Sequence, residues 1–136
     1  MDASVRKLVR ERAGNRCEYC RFPQQEGTAV RFHVEHIRLH QHGGDDYPFN
    51  LALACPICNW NKGPNMTAVD PESELVTPLF NPRSDHWSEH FALVGVEIVG
   101  LTPVGRATVR LLRMNDAEYV ELRRELRVRG ELDLGD

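Results

Sequence analysis

The chain has 136 residues, of which 41% are hydrophobic and 27% are charged, and its formal net charge is −3 at pH 7. A chain of this length usually forms one domain with a modest core, and this composition is that of an ordinary globular protein. No apolar run approaches the roughly 20 residues of a membrane span, and the N-terminal stretch MDASVRKLVRERAG lacks the apolar core of a signal peptide. We therefore expect a cytoplasmic protein with no membrane partner.

Positive charge is concentrated in the first third of the chain. Residues 1–40 carry eight Lys or Arg against five Asp or Glu, whereas residues 41–80 carry one against five. Such a basic segment could contact phosphate groups, or it could be a solvated helix surface, which is the simpler interpretation of charge alone. The basic residues are Arg6, Lys7, Arg10, Arg12, Arg16, Arg21, Arg31 and Arg38.

The first half of the chain is predicted to fold as helix, strand, loop and short helix. Apolar residues recur at helical spacing over about 4–13, and Gly14 can end that helix. Residues 28–37, TAVRFHVEHI, are rich in β-branched and aromatic residues and predict a strand. Gly and Pro residues then mark a loop. After a short extended or turning piece, we expect a short helix that begins after Cys58 and ends near Gly63.

The second half predicts a covering segment followed by strands and two helices. Residues 63–82 are rich in Pro and polar residues but contain four apolar side chains that could pack: Leu75, Val76, Leu79 and Phe80. One or two strands should precede a helix at about 104–114. A final helix is expected between a cap at Asn115 and a stop at Gly130, and the last six residues are expected to fray. The predicted apolar stripe of this helix consists of Tyr119, Leu122 and Leu126.

The four cysteines form two C-x-x-C pairs with 34 residues between the pairs. Two intervening residues let both thiolates of a pair reach one ion from a tight turn, and two such turns complete a tetrahedron. A reducing compartment favours metal binding over disulfides. We therefore predict a structural Zn²⁺ site, with a further segment inserted between its two halves. Its ligands are Cys17, Cys20, Cys55 and Cys58.

The inserted segment carries residue types suited to phosphodiester hydrolysis. A strand, loop and helix held at both ends by one zinc ion would bring Glu35, His36 and Asn59 together. A neutral imidazole is a suitable base at pH 7, which makes His36 the candidate. Carboxylate and amide oxygens favour Mg²⁺ or Mn²⁺, which can stabilise the charge on a reacting phosphate. Because adjacent strand side chains point to opposite faces, Glu35 and His36 can share a site only where the strand ends or twists.

The order of these motifs resembles the HNH endonucleases that have a four-cysteine zinc site. The resemblance covers about residues 14–64, from the first C-x-x-C through the Glu-His pair to GG…N-L…C-x-x-C-N-x-x-K-G. It implies an α+β fold with a zinc-stabilised ββα-metal core, also called a His-Me finger. It also implies a single HNH nuclease domain over 1–136, with an N-terminal helix at 1–13 and a C-terminal strand and helix extension at 65–136.

The resemblance also implies roles for individual residues. His36 would be the general base, and Asn50 would brace the loop and help to orient that histidine. Glu35 and Asn59 would bind the catalytic Mg²⁺ or Mn²⁺, and the four cysteines would bind structural zinc. DNA is the implied substrate, with other nucleic acid as an alternative. Two positions depart from the usual pattern, because Glu35 stands where Asp or His is common and Asn59 stands where His is common.

Other interpretations use the same residues. A non-catalytic zinc module that binds nucleic acid or protein would need only the cysteines, and a nuclease that binds without cutting would have Glu35 as the suspect position. The remaining histidines of the inserted segment, His33, His40 and His42, are expected at the surface. Asp45 and Asp46 are expected to form turns. The motif HWSEHF, residues 86–91, is expected to contain a buried Trp and a hydrogen-bonded His.

Overall fold

Short helices and antiparallel hairpins alternate along the chain. The structure is a computed structural model that describes residues 1–134. The helices are α1 (Ala3–Arg12), α2 (Pro56–Lys62), α3 (Trp87–His90), α4 (Pro103–Leu112) and α5 (Ala117–Val128). The strands are β1 (His33–His36), β2 (Leu51–Ala54), β3 (Thr67–Val69), β4 (Val76–Pro78), β5 (Phe91–Val94) and β6 (Glu97–Gly100). They pair in sequence order as three antiparallel hairpins, which confirms the predicted α+β class.

Strands β1 and β2 and helix α2 form a ββα unit. Both strands lie between the two cysteine pairs in the sequence, and α2 contains Cys58. In the hairpin, His36 lies opposite Leu51 and His33 lies opposite Ala54. All four residues of β2 are buried, which accounts for its uninterrupted apolar sequence LALA. A buried partner strand therefore fixes the position of the strand end that carries His36.

Helix α2 begins before the predicted position. Pro56 occupies the first turn, where the missing N–H leaves no bond unmade. The Cys55 sulfur caps the helix by accepting a hydrogen bond from the Cys58 N–H at 3.4 Å. Gly63 follows the last helical residue with a φ of +48°. The expected start after Cys58 is wrong because the turn that carries the second C-x-x-C pair is also the first turn of the helix.

Strand β1 is shorter than the predicted strand at 28–37. The side chain of Gln24 replaces a strand partner over the first part of that segment. Its Nε2 donates to Val30 O at 2.7 Å, and its Oε1 accepts from Phe32 N at 2.8 Å. Because these backbone groups bond a side chain, only His33–His36 are left for the hairpin.

Helix α1 confirms the helix predicted at about 4–13 and is tied to the hairpin by arginines. Asp2 caps it by accepting from Val5 N at 3.0 Å. Arg10 donates to Phe32 O at 3.0 Å, and Arg12 donates to Leu51 O at 2.8 Å. Part of the N-terminal positive charge is therefore used to hold the fold together.

The segment at 63–82 contains a hairpin that the sequence did not predict. Leu79 and Phe80 are buried as expected, but Leu75 and Val76 are 69% and 70% exposed. The turn between β3 and β4 is organised by the buried carboxylate of Asp70. This carboxylate accepts from the Glu72 N–H at 3.1 Å and the Ser73 N–H at 3.3 Å, and it pairs with Arg106 on α4 through two bonds of 2.9 Å. Arg106 therefore has a structural partner.

Helix α5 is capped by Asp116 and not by Asn115. The Asn115 side chain instead accepts from Ile98 N and donates to Ile98 O, both at 2.8 Å, and so acts as a partner for β6. The fully buried Arg123 donates to Val96 O at 2.7 Å. The cap prediction is wrong because this tertiary contact takes the amide that a local cap would need.

The C-terminal residues that the structure describes pack onto the core. Leu134 is 5% exposed, so the expectation of fraying is wrong for 131–134, while 135–136 lie outside the described residues. The buried Tyr119 and Leu126 confirm the predicted stripe of α5. Buried residues from Val9 to Leu134 form one contiguous hydrophobic cluster. Among residues 1–134, no helix has the length and apolar character needed to cross a bilayer.

Candidate active site and zinc centre

The four cysteines converge on one buried point. Their sulfur atoms all lie within 4.8 Å of one another, and Cys20 Sγ and Cys55 Sγ are 3.8 Å apart. Four sulfurs at about 2.3 Å from a zinc ion stand about 3.8 Å apart at the corners of a tetrahedron. The cysteines are free of disulfides, and the cluster has the donor set and spacing of a structural zinc site.

The electrostatics of the thiols also favour a bound cation. Hydrogen bonds from Cys17, Cys20 and Cys58 lower the pKa of the Cys55 thiol. Hydrogen bonds with Cys17, Cys20 and Cys55, together with burial, raise the pKa of the Cys58 thiol. Four sulfurs this close cannot all ionise without a compensating positive charge. A zinc ion supplies that charge and allows all four to be thiolates.

The first cysteine turn is supported by the C-terminal part of the chain. Trp87 is 6% exposed, and its Nε1 donates to Tyr19 O at 2.7 Å, between the two cysteines of the first pair. Glu18 accepts from Leu53 N at 2.8 Å and also pairs with Arg83. His90 Nδ1 is 2.6 Å from Thr102 Oγ1. These contacts confirm the buried Trp and hydrogen-bonded His expected in HWSEHF, and they tie the extension to the zinc centre.

His36 lies at the end of β1 and shares a carboxylate with a second histidine. His36 Nε2 is 2.7 Å from Asp46 Oδ1, and His40 Nε2 is 2.8 Å from the same oxygen. Hydrogen bonds with His36 and, as the second cause, with His40 lower the pKa of the Asp46 carboxyl. Asp46 is therefore ionised at neutral pH. A carboxylate only accepts hydrogen bonds, so it favours the His36 tautomer that carries its proton on Nε2 and a lone pair on Nδ1. Asp46 is therefore more than the turn residue expected from the sequence.

The loop that carries His40 and Asp46 is fixed by Asn50. Its Nδ2 donates to Arg38 O at 2.9 Å and Asp45 O at 2.8 Å, and its Oδ1 accepts from Arg38 N at 3.0 Å. Gly44 passes so close that an added Cβ would lie 1.7 Å from Arg38 O and 2.9 Å from Asn50 Nδ2. These three hydrogen bonds connect the two ends of the loop, and the absence of a side chain at Gly44 allows the backbone to approach Arg38 closely.

Glu35 points away from His36 and into the protein, as strand geometry requires. Its side chain is 9% exposed and lies 3.3 Å from the Lys62 ammonium, which is 3% exposed. Tyr19 Oη donates to the same carboxylate. Burial raises the pKa of the Glu35 carboxyl, while the charge of Lys62 acts in the opposite direction. Lys62 also donates to Ile37 O at 2.9 Å, so it fixes the end of β1 and is not placed to contact a phosphate.

Asn59 lies on the same face of α2 as Lys62, and the Lys62 side chain points toward β1. The two residues are three positions apart, so their side chains are neighbours on the helix. Asn59 is partly exposed, and within residues 1–134 its side chain forms no hydrogen bond. Helix α2 therefore contacts the end of β1, and Lys62 makes that contact. The assignment of Glu35 and Asn59 as metal ligands remains a prediction, since a metal ion at Glu35 would have to replace Lys62.

Exposed aromatic and basic side chains surround the open end of β1. Tyr47 and Phe49 are 72% and 71% exposed, and Phe49 lines two neighbouring grooves of about 430 and 440 Å³. Arg38 lines the first groove, and in the described part of the chain its guanidinium forms no ion pair. At the other end of the strand, Arg6 and Arg31 lie close enough to Arg10 to lower its pKa, although burial is the larger cause.

Local sequence spacing does not predict the contact of Asp46 with two histidines. His36 and His40 lie four residues apart outside a helix, so their spacing alone did not place them together. The GG-D-D stretch that follows reverses the chain, and only the Asn50 cross-link brings the second aspartate back to both histidines. Side-chain partners across a loop of this kind depend on tertiary contacts.

Comparison with known protein families agrees with this geometry. Residues 17–65, which are 49 of the 136, match the family described as HNH endonuclease. The matched segment contains all four cysteines and the whole ββα unit, so the resemblance drawn from the motifs is confirmed as a match of this segment to the HNH endonuclease family. No curated protein and no solved structure matches the chain significantly.

Proposed function

We propose that this protein is a metal-dependent HNH endonuclease that hydrolyses phosphodiester bonds in DNA, with His36 as the general base. One observation carries the proposal: the imidazole at the open end of a zinc-braced ββα unit is held by a carboxylate, Asp46, at 2.7 Å. The family match over residues 17–65 supports the same class of reaction. In this proposal the chain acts as a single nuclease domain whose extension beyond residue 64 supports the zinc centre.

The carboxylate gives His36 the tautomer that a base needs. With its proton on Nε2 directed at Asp46, the ring has a lone pair on Nδ1 that can take a proton from an attacking water molecule. Asp46 then stabilises the positive charge that develops on the imidazole, as an acidic partner of a catalytic histidine does in other hydrolases. Asn50 contributes indirectly, because it holds the loop that carries Asp46.

In this proposal, nucleic acid binds to the exposed side chains beside His36. Arg38 offers a guanidinium without an ion pair among the described residues. A guanidinium can bind a phosphate group through two parallel hydrogen bonds. Phe49 offers an exposed ring, on which an unstacked base can lie. The positive charges of Arg6 and Arg31 at the opposite end of β1 would extend the contact along the phosphate backbone.

The predicted catalytic ion does not fit the arrangement of Glu35 as it stands. The Glu35 carboxylate has the oxygen chemistry that Mg²⁺ or Mn²⁺ prefers, but Lys62 already neutralises it in a buried pair. The metal dependence of the proposed reaction rests on the family resemblance and is tested directly.

The test is a supercoiled-plasmid assay on zinc-loaded protein with Mg²⁺ or Mn²⁺. We expect the wild type to nick or linearise the plasmid and EDTA to stop the reaction. His36→Ala should lower the rate by about 10²- to 10⁴-fold, the range of a general base. His42→Ala is the matched control, since His42 is an exposed histidine of the same loop without a bond to Asp46.

Two results would contradict the proposal. One is a wild type that leaves plasmid intact with either ion while zinc and fold are present, which would favour a non-catalytic zinc module. The other is cleavage that survives His36→Ala at an unchanged rate, which would remove His36 as the base. Zinc content and circular dichroism of each variant separate loss of chemistry from loss of fold.

A further inference from the structure

A second group of metal-binding side chains lies outside the cysteine cluster. The Nε2 atoms of His36 and His40 and a carboxylate oxygen of Asp46 all lie within 4.8 Å of one another. All three point to one place, since both imidazoles approach the same Asp46 oxygen at 2.7 and 2.8 Å. Apart from the cysteines, it is the only such group of three or more among residues 1–134.

We propose that His36, His40 and Asp46 form a binding site for one divalent first-row transition-metal ion. Ligand atoms about 2.1 Å from such an ion stand about 3.0 Å apart in octahedral geometry and about 3.4 Å apart in tetrahedral geometry. The observed nitrogen-to-oxygen distances of 2.7 and 2.8 Å would need to open by about 0.2–0.3 Å for octahedral geometry and by about 0.6–0.7 Å for tetrahedral geometry. Two imidazoles and one carboxylate suit Fe²⁺, Ni²⁺, Cu²⁺ or Zn²⁺ better than Mg²⁺ or Mn²⁺.

The loop holds these ligands in place before an ion arrives. His40 begins a 3₁₀ turn that ends at Gly43, and Asn50 closes the neck of the loop through Arg38 and Asp45. Asp45 precedes Asp46 directly, so this bond fixes the backbone that presents the carboxylate. Side chains that are already ordered in the binding geometry lose less conformational entropy when an ion binds.

The two metal centres differ in what they leave open. His40 and Asp46 are 62% and 64% exposed, so water or another ligand can complete the coordination of an ion held there. The proposed ion would bind Nε2 of His36, which moves the ring proton to Nδ1. Ion binding and the use of Nδ1 as a base therefore exclude each other, and the site would switch His36 between two states.

The test measures Ni²⁺ binding to zinc-loaded protein without a histidine tag and without DNA. Isothermal titration should show one Ni²⁺ per chain, with the zinc content unchanged afterwards. His40→Ala should weaken Ni²⁺ binding by more than about 100-fold, because even the loss of an outer partner of a ligand costs about 10- to 100-fold. His42→Ala should bind like the wild type. Proton resonances of the His36 and His40 rings should be the first to broaden.

The opposite results would overturn the site. These are no Ni²⁺ binding by the zinc-loaded wild type, or equal binding by the wild type and the His40→Ala variant. Because His40 is mostly exposed, its replacement should leave the fold intact, and circular dichroism checks this. Binding is measured without DNA, so failure here is distinct from failure of the nuclease proposal.

Discussion

The two clusters at the ends of the ββα unit differ in chemistry and in access. The cysteine cluster is fully buried, has four equivalent soft ligands and leaves no position for a substrate. The His36–His40–Asp46 cluster is open on one side and contains groups that can exchange a proton. A closed set of ligands stabilises a fold, whereas an open set can act on something from outside. The same short segment of chain builds both.

Removal of zinc should have the largest effect. Cys55 belongs to the cysteine cluster and also caps α2, so Cys55→Ser should weaken both zinc binding and the helix cap. Structural zinc sites contribute roughly 10–16 kcal/mol of apparent binding free energy at pH 7, which exceeds the stability of most small domains. We expect Cys55→Ser, or chelation of the wild type, to unfold the β1–β2–α2 unit. The measurement is zinc content together with the far-UV circular dichroism melt.

His36→Ala is the contrast to this variant, since it should keep one zinc per chain and the wild-type melting curve. A zinc-free protein that still melts cooperatively at the wild-type temperature would show that the cysteine cluster is not what holds the unit together.

The buried pair of Glu35 and Lys62 should have the next largest effect, on stability. Glu35→Gln leaves the Lys62 ammonium buried without its counter-charge, and breaking such a pair costs about 3–5 kcal/mol. Glu11→Gln is the matched control, because its pair with Lys7 is 66–76% exposed and should contribute at most about 0.5 kcal/mol. Urea denaturation measures both.

The same variant separates the two roles of Glu35. If Glu35 is mainly structural, the double variant Glu35→Gln/Lys62→Met recovers stability, since both charges are gone. If Glu35 is a metal ligand, Glu35→Gln abolishes Mg²⁺-dependent cleavage at temperatures where the variant is fully folded. A Glu35→Gln variant with wild-type stability would contradict the buried ion pair.

Asp46 tests the open cluster alone. Asp46→Ala removes the partner of His36 Nε2 but leaves the zinc centre untouched, and we expect cleavage to fall by about 10- to 100-fold. Asp46→Glu should recover part of the rate. The neighbouring Asp45→Ala, which removes only a bond to Tyr47 N, should stay within about twofold of the wild type. The pH profile of cleavage should change for Asp46→Ala and not for Asp45→Ala, whereas equal losses for both would indicate a general disturbance of the loop.

Sequence patterns predicted the parts of the molecule that local spacing determines. The two C-x-x-C turns and α1 follow from residue order, because each is set by neighbours a few positions away. The partners of Glu35 and Asp46 did not follow, because Lys62 and the Asn50-braced loop reach them through tertiary contacts. For the same reason Gln24 shortened β1 and Asn115 left the cap of α5 to Asp116.

Replacement of Phe49 should have the smallest effect, which is on DNA affinity. It tests where the substrate lies relative to the two clusters. Its ring is 71% exposed beside Arg38, and stacking of one base on an aromatic ring is worth about 1–3 kcal/mol. Phe49→Ala should therefore weaken DNA binding by about tenfold, whereas Phe49→Tyr keeps the ring and should bind like the wild type. Fluorescence anisotropy with labelled single- and double-stranded oligonucleotides measures both at fixed salt, because phosphate contacts depend on salt. A loss confined to single strands would place an unstacked base on Phe49, next to the open cluster. Unchanged affinity for both forms would mean that DNA approaches His36 from another side, and Arg38→Ala would then also leave binding intact.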